Sequence, residues 1–482
     1  MNEKDLMLLT DYYELTMAFA YFQEGKQKEI AYFDMFTRKA PDGGGYLVFN
    51  GLQRFIDFVV NFKFTEEQLA YIQKNNSFTE EFIAYLRNMK LNIDVWSLPE
   101  GAVAFPNEPL MCVRGNWIEA QIVETILLVS VNYATLIATK ASRIAGAAKG
   151  RGVLEFGARR AQGAVAALEG ARAAIIAGCI ASSNTLAGFK YDIPVAGTMA
   201  HSYIQLYDDE YQAFLTFAKH QPHNCTFLVD TYDSLKSGVP NAIRVAKEYL
   251  EPKGYKLKAI RLDSGDLAYL AKNARKLLDA AGLSDVKIMV SNSLNEFLIE
   301  DLLNQGAPID LFGVGENLIT AASNPVLGGI YKVVAYEKDG KIVPTIKISD
   351  NVEKVTTPGY KKVYRFYDRE NKAIADLIAL ADEVIPLEGY ELFDPVSPWK
   401  RKYIKNYTVK ALHQEIFVQG QLVYEAPSTL EVASYHKAEL ATLWDEVKRL
   451  RNPHNYYVDL SQQLFDMKND LIAYHRAKNQ EK

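Results

Sequence analysis

From Trp117 to about residue 335, short β-rich runs end in polar or glycine residues, and a segment with helical spacing of apolar positions follows each one. GVLEFGARRAQ opens into AVAALEGARAAIIAG, and IPVAGTMAHS into YIQLYDDEYQAFLTFA. TFLVDTYDS precedes VPNAIRVAKEYL, KAIRLDSGD precedes LAYLAKNARKLLDAAG, KIMVSNS leads to LNEFLIEDLLNQG, and IDLFGVG to ENLITAA. The strand ends at Asp230, Asp263, Ser291 and Gly313 are 33, 28 and 22 residues apart, which fits βα units in a parallel sheet. The pattern predicts an α/β barrel. The polar residues stand where strands hand over to helices, the face on which βα loops build sites. A doubly wound open sheet would gather them on one edge as well.

Outside this region the pattern changes. Residues 1–117 are rich in aromatics and close on LPEGAVAFPNEPLMCVRG, where Pro and Gly punctuate short apolar runs. We read them as an α+β N-terminal domain completed by later segments. Residues 118–335 form the barrel domain, entered through a long apolar helix over roughly 118–140. Residues 336–482 are a C-terminal extension, first strands and turns, then a charged helical region from 425.

Composition narrows the classes. A chain of 482 residues is too long for one core and predicts two or three domains. Hydrophobic residues at 49% and charged residues at 23% describe a globular chain, not a disordered one. A net charge of -5 and a pI near 5.9 argue against a nucleic-acid partner. The most apolar stretch, QIVETILLVSVNYATLIA, is broken by Glu124 and Asn132, so no membrane span is expected. MNEKDLMLLTDYYEL lacks the features of a secretory signal. Three widely spaced cysteines, Cys112, Cys179 and Cys225, predict buried inert thiols and a reducing, cytoplasmic setting.

Three constellations carry candidate chemistry. In RLDSGDL, Arg261 and Asp263 lie two apart on a strand end and so face one side. The acids there suit sugar hydroxyls or a magnesium ion that itself carries phosphates, while Ser264 or Asp266 also fits as a helix cap. In EFGARR, Arg159 and Arg160 follow a strand and precede a helix, a site for phosphate or carboxylate; an ion pair with Glu155 or Glu169 is the alternative. In FGVGEN, Gly313 and Gly315 would let backbone amides approach a phosphate, or would only shape a tight turn. His201, in GTMAHS, has no His, Cys or carboxylate at zinc-ligand spacing, which leaves a catalytic or a structural histidine. Asp208 and Asp209 of YDDEY read as solvated helix surface. No GxxxxGK[ST] motif is present, which excludes a P-loop.

Taken together, LLTDYYELTMAFAY, EFGARRAQGAVAALEGARAA, SSNTLAGFKYDIPVAGTMAHS, RLDSGDL, VSNSLNE, FGVGENLIT, EKVTTPGYKKVYR and VKRLRNPHNYYVDLS resemble nicotinate phosphoribosyltransferases, in the same order from residue 8 to 475. The resemblance implies the irregular α/β barrel of type II phosphoribosyltransferases. It also implies a reaction: nicotinate and phosphoribosyl pyrophosphate give nicotinate mononucleotide and pyrophosphate, coupled to ATP hydrolysis with magnesium, for NAD synthesis or salvage. It makes His201 the residue phosphorylated by ATP. Tyr13 and Phe156 would sandwich the pyridine ring, Tyr13 coming from the partner in a homodimer. Arg159 and Arg261 would meet the nicotinate carboxylate or the phosphates, and Asp230 and Asp263 the ribose or magnesium. Gly313 and Gly315 would hold the ribose 5-phosphate, and Arg38 would reach the pyrophosphate across the interface. Ser293 and Glu316 depart from the family, whose members often carry Asp and Thr there.

Two rivals remain. Nicotinamide or quinolinate transfer uses the same fold, although the cations of EFGARR suit an acid better than an amide. A non-catalytic nucleotide-binding barrel would have lost the strand-end residues, and here they are present. No Lys sits at a strand end suited to a Schiff base.

Overall fold

A computed structural model describes residues 3–74, 78–349, 351 and 354–480. They divide into two compact units. One comprises residues 1–136, 326–427 and 435–482, the other residues 137–325 and 428–434.

The second unit carries the predicted alternation. Six strands, β1 (Gly152–Glu155), β2 (Ala181–Ser182), β3 (Thr226–Leu228), β4 (Ala259–Leu262), β5 (Lys287–Val290) and β6 (Leu311–Val314), form one curled sheet in the order β2-β1-β6-β5-β4-β3. Every pairing is parallel. The strands are short apolar runs because both faces are covered: Leu228, Ile260, Leu262, Ile288, Val290, Phe312 and Val314 are all buried. The barrel is a half-barrel. IPVAGT contributes only a single parallel bridge, Ser182 to Val195, and no pairing joins it to β3. The Pro194 carbonyl accepts from the Ser182 N–H at 3.0 Å and the Ala196 N–H donates to the Ser182 carbonyl at 2.9 Å, and the segment's pairing ends there.

Helices start where strand-end polar residues cap them. Asp266 accepts from the Tyr269 N–H at 3.0 Å at the head of Leu267–Ala280. Asn295 does the same for Glu296–Asn304, and Asp209 for Glu210–His220. Asp266 therefore takes the capping role, worth roughly 1 kcal/mol. Asp209 is a cap as well as exposed helix surface.

In the first unit a seven-stranded antiparallel sheet includes Ile30–Thr37, which pairs with Gly329–Lys338 on one side and with the central strand Met111–Asn116 on the other. Gln414–Val418 joins this sheet beside Asp94–Ser97, so early and late parts of the sequence share one layer. A second sheet has the order Thr408–Ala411, Lys361–Tyr367, Ala373–Leu380, Val458–Leu460. The helical stretch Trp117–Ala147 is apolar enough to cross a membrane, but 72% of its most apolar window is buried, as in a core helix. All three cysteines are free and buried, as expected.

Beneath the second sheet Arg365 is fully buried. Its guanidinium donates to both Asp376 oxygens at 2.8 and 2.6 Å, to Glu439 at 3.1 Å and to the Val103 carbonyl at 2.8 Å. Burial, with Asp376 close by, pushes the Glu108 carboxyl well above the usual range. Arg365→Ala strands two buried carboxylates and should cost about 3–5 kcal/mol, read as a lower urea midpoint with an unchanged slope.

Candidate active site

The strand-end residues of the second unit converge on Arg261. Its side chain leaves β4 with three donors engaged: Nε to Ser291 Oγ at 2.9 Å, Nη1 to Thr198 Oγ1 at 3.1 Å, and Nη2 to Asp263 Oδ1 at 2.9 Å. Arg261 and Asp263 thus lie on one side, as their spacing predicts. Ser291, just past β5, also donates to Asp263 Oδ1. Asp230, just past β3, accepts from the Asp263 N–H at 2.9 Å and from Ser264 Oγ at 2.6 Å through Oδ2. Its other oxygen, Oδ1, is buried and has no partner among the described residues.

His201 is the first residue of the short helix His201–Gln205, and its Nδ1 lies 3.2 Å from Thr231 Oγ1, next to Asp230. The ring is held by one nitrogen, and Nε2 has no partner among the described residues.

Phe156 follows β1, and the Arg261 guanidinium carbon is 5.6 Å from its ring centroid, within cation–π range. Gly313 makes room for this ring. A Cβ at Gly313 would stand 2.7 and 2.8 Å from two Phe156 ring carbons, closer than real contacts allow. Gly315 precedes the four-residue helix Glu316–Ile319, and a Cβ there would come within 3.2 Å of the Phe156 carbonyl oxygen. Both glycines therefore pack against Phe156, a service that the sequence reading of a phosphate loop did not foresee.

Arg159 is exposed and has no partner among the described residues. Neither of its suggested partners is available. Glu155 is buried, accepting from the Gly157 N–H and from Ser182 Oγ at 2.5 Å, and burial lifts its pKa. Glu169 accepts from the Tyr191 hydroxyl at 2.7 Å. Glu316 lies 3.7 Å from Arg160, a loose surface pair that occupies the acid. Ser293 and its neighbour Asn292 both have positive φ, 48° and 90°, and Ser293 Oγ donates to Asn292 Oδ1 at 3.2 Å. Such backbone strain gathers at functional sites.

Five strand ends and the Val195 segment thus deliver Phe156, Thr198, His201, Asp230, Asp263, Ser291 and Gly313 to one end of the half-barrel. Sequence reasoning placed Ser291 at a strand end but gave Thr198, Thr231 and Ser291 no role in the site. Their only signal was a hydroxyl residue at or just past the end of an apolar run.

Tyr13 and Arg38 belong to the first unit. Tyr13, on the helix Tyr12–Gln23, is 44% exposed, and its hydroxyl is hydrogen-bonded to Glu124. Burial, with Glu124 second, raises its pKa above the ordinary tyrosine value. Next to it, burial pushes the Glu14 carboxyl up to about 7. Arg38 follows the strand Ile30–Thr37 and lines a cavity of about 230 Å³ with Lys332, Lys347, Lys354 and Glu124. Its Nε is buried without a partner among the described residues. Four cations and one acid make this hollow a place for an anion.

Known proteins match nearly the full length of the chain. The N-terminal domain of the nicotinate phosphoribosyltransferase family matches residues 8–132 and its C-terminal domain residues 360–468. Nicotinate phosphoribosyltransferase of Bacillus subtilis is 47% identical over 98% of this chain and 96% of its own length. The chain belongs to the nicotinate phosphoribosyltransferase family. The human member of that family is 32% identical over 97% of this chain and 96% of its own length. The crystal structure of human nicotinic acid phosphoribosyltransferase superposes with a TM-score of 0.84 at 30% identity, covering 96% of this chain and all of that one. A nicotinate-nucleotide pyrophosphorylase from Pyrococcus furiosus gives 0.69 at 25% identity, covering 92% of this chain and 97% of that one. The nicotinate phosphoribosyltransferase fold therefore extends over both units, and the family is one of enzymes.

Proposed function

We propose that the chain transfers the phosphoribosyl group of phosphoribosyl pyrophosphate to nicotinate, releasing pyrophosphate and forming nicotinate mononucleotide for NAD synthesis or salvage. The observation that carries this reading is the set of contacts tying Arg261, Asp263, Asp230, Ser291 and Thr198 together beside Phe156, with Arg159 unpaired nearby. The bond from ribose C1 to the pyrophosphate oxygen breaks as positive charge gathers on the sugar, and the nicotinate ring nitrogen forms the new bond to C1. That nitrogen is already nucleophilic, so the protein's task is orientation and charge. Phe156 stacks on the pyridine ring, and Arg159 meets the nicotinate carboxylate. Asp230 and Asp263 bind ribose hydroxyls. Gly313 and Gly315 serve the ribose 5-phosphate indirectly, by seating Phe156 beside the amides that follow β6.

Magnesium fits these residues. Asp230 Oδ1 is a buried oxygen with no partner, and Asp263 Oδ2 has none among the described residues. Two carboxylates would leave most of the ion's coordination to substrate phosphates and water. When bound, magnesium stabilises charge on the leaving pyrophosphate.

ATP enters through His201. Its γ-phosphoryl passes to the imidazole with release of ADP, and water later takes the phosphoryl group as phosphate. Thr231 orients the ring through Nδ1. The phosphohistidine adds roughly one to two negative charges beside the basic groups of the mouth and orders them around the incoming substrate. Tyr13 and Arg38 complete the site from a second copy in a homodimer, as the family resemblance implies. The exposed Tyr13 ring and the cationic hollow around Arg38 support this. The three buried free thiols support a reducing, cytoplasmic setting.

The test is a pyrophosphate-release assay with phosphoribosyl pyrophosphate, magnesium and nicotinate, run with and without ATP. Release that requires nicotinate and rises with ATP is expected. No release with nicotinate under either condition rejects the reading. Gly313→Ala probes the stacking face: about 1.4 kcal/mol of overpacking against Phe156 should raise KM for nicotinate about tenfold while KM for phosphoribosyl pyrophosphate changes little.

A further inference from the structure

The segment VKRLRNPHNYYVDLS, residues 447–461, takes no part in the chemistry above. It forms one wall of a cleft of about 1080 Å³ in the first unit, with the hairpin of Gly389–Phe393 and Arg401–Lys405 as another. That volume is at the upper end of ligand clefts, roughly 300–1,000 Å³. The cleft shares no residue with the hollow around Arg38 or with the barrel mouth.

Residues 451–457 have no helix or strand, yet they are firmly seated. The Tyr456 ring stacks on Phe105 with centroids 3.9 Å apart, and its hydroxyl donates to Asp376 Oδ1 at 3.0 Å, inside the buried Arg365 network. Gly45 lets this wall close in: a Cβ there would meet the Val447 carbonyl oxygen at 2.3 Å and Pro453 Cβ at 3.1 Å. An irregular segment fixed on a rigid footing is how folds present binding groups.

The chemistry of the walls selects a ligand. The Tyr457 ring is 44% exposed, with the Lys402 ammonium 5.9 Å from its centroid and the His454 ring edge-on at 5.8 Å. Lys402 has no carboxylate partner among the described residues. Lys400 and Arg449 have loose ones only, Asp394 at 3.9 Å and Glu446 at 3.4 Å. An open aromatic face ringed by unspent cations suits a flat, anionic molecule, and Asp394 and Glu446 are placed to accept from its amino or hydroxyl groups. On the floor, burial and Asp394 push the Asp459 carboxyl up to about 7, which reduces the negative charge facing an anion.

We propose that this cleft is a second nucleotide site, which takes a purine nucleoside diphosphate with its base on Tyr457 and its phosphates among Lys400, Lys402 and Arg449. Photo-crosslinking of the full chain with 2-azido-ADP, followed by peptide mapping, tests it. Label is expected on the peptide that carries His454 and Tyr457, in addition to any label on barrel peptides, and excess ADP should compete it away. Lys402 and Arg449 are exposed, so the pair Lys402→Glu with Arg449→Glu should fold normally and turn over within twofold of wild type without added ADP. Labelling of the cleft peptide should fall at least tenfold in that variant, and also in Tyr457→Ala. Absence of label on this peptide in the wild type, or a fall of less than tenfold in both variants, overturns the proposal.

Discussion

Arg261→Ala is expected to lower kcat/KM for phosphoribosyl transfer by about 10²–10³, the range seen when one fixed donor to a developing charge is removed. The reason is geometric. One guanidinium bonds Ser291 and Asp263, which come from two strand ends, and Thr198 from the Val195 segment, and lies over the Phe156 ring as well. Its loss removes the charge that balances Asp263 and releases three groups from their common register. Arg261→Lys should recover little, because a single ammonium cannot serve three acceptors spread across a plane. The loss should lie mainly in kcat, with thermal unfolding shifted by no more than a few degrees, since the site has solvent access. Steady-state kinetics showing less than a fivefold change would remove Arg261 from the centre of the site.

His201→Ala should abolish the stimulation of turnover by ATP while leaving a slow, ATP-independent transfer. Thr231 holds one ring nitrogen and leaves the other without a partner, an arrangement that orients a ring for group transfer. Wild-type protein incubated with γ-labelled ATP should retain acid-labile phosphate, and the variant none. Thr231→Val keeps the imidazole but not its hydrogen bond and should slow phosphorylation by about tenfold, the worth of one hydrogen bond of about 1.4 kcal/mol. Unchanged ATP stimulation in His201→Ala would place the coupling elsewhere.

Much of this arrangement is legible in the residues, for identifiable reasons. Parallel strands buried on both faces must be apolar runs, and their ends must turn polar, so five of the six strands and the positions of Asp230, Arg261, Asp263 and Ser291 follow from local pattern, whereas the two-residue strand Ala181–Ser182 carries no such run and takes the place expected for IPVAG. Alternation of side chains along a strand puts Arg261 and Asp263 on one side. Contacts between distant segments leave no such trace. Gly313 makes room for Phe156, 157 positions earlier in the chain, and nothing near Gly313 distinguishes that service from a phosphate loop. Thr198, Thr231 and Ser291 matter through their shared partners, whereas hydroxyl residues after strands are commonplace. The pairing of Gln414–Val418 with Asp94–Ser97 is likewise non-local, so the sequence treats as separate what one sheet unites.

Substrate choice tests the account most directly. Nicotinate, nicotinamide and quinolinate are offered together at equal concentration with phosphoribosyl pyrophosphate, magnesium and ATP, and the nucleotide products are identified by mass. Nicotinate mononucleotide should dominate, and Arg159→Ala should erode that preference, because the unpaired guanidinium favours a carboxylate over an amide. A product mixture dominated by nicotinamide mononucleotide, or by the quinolinate-derived nucleotide with loss of carbon dioxide, would contradict it.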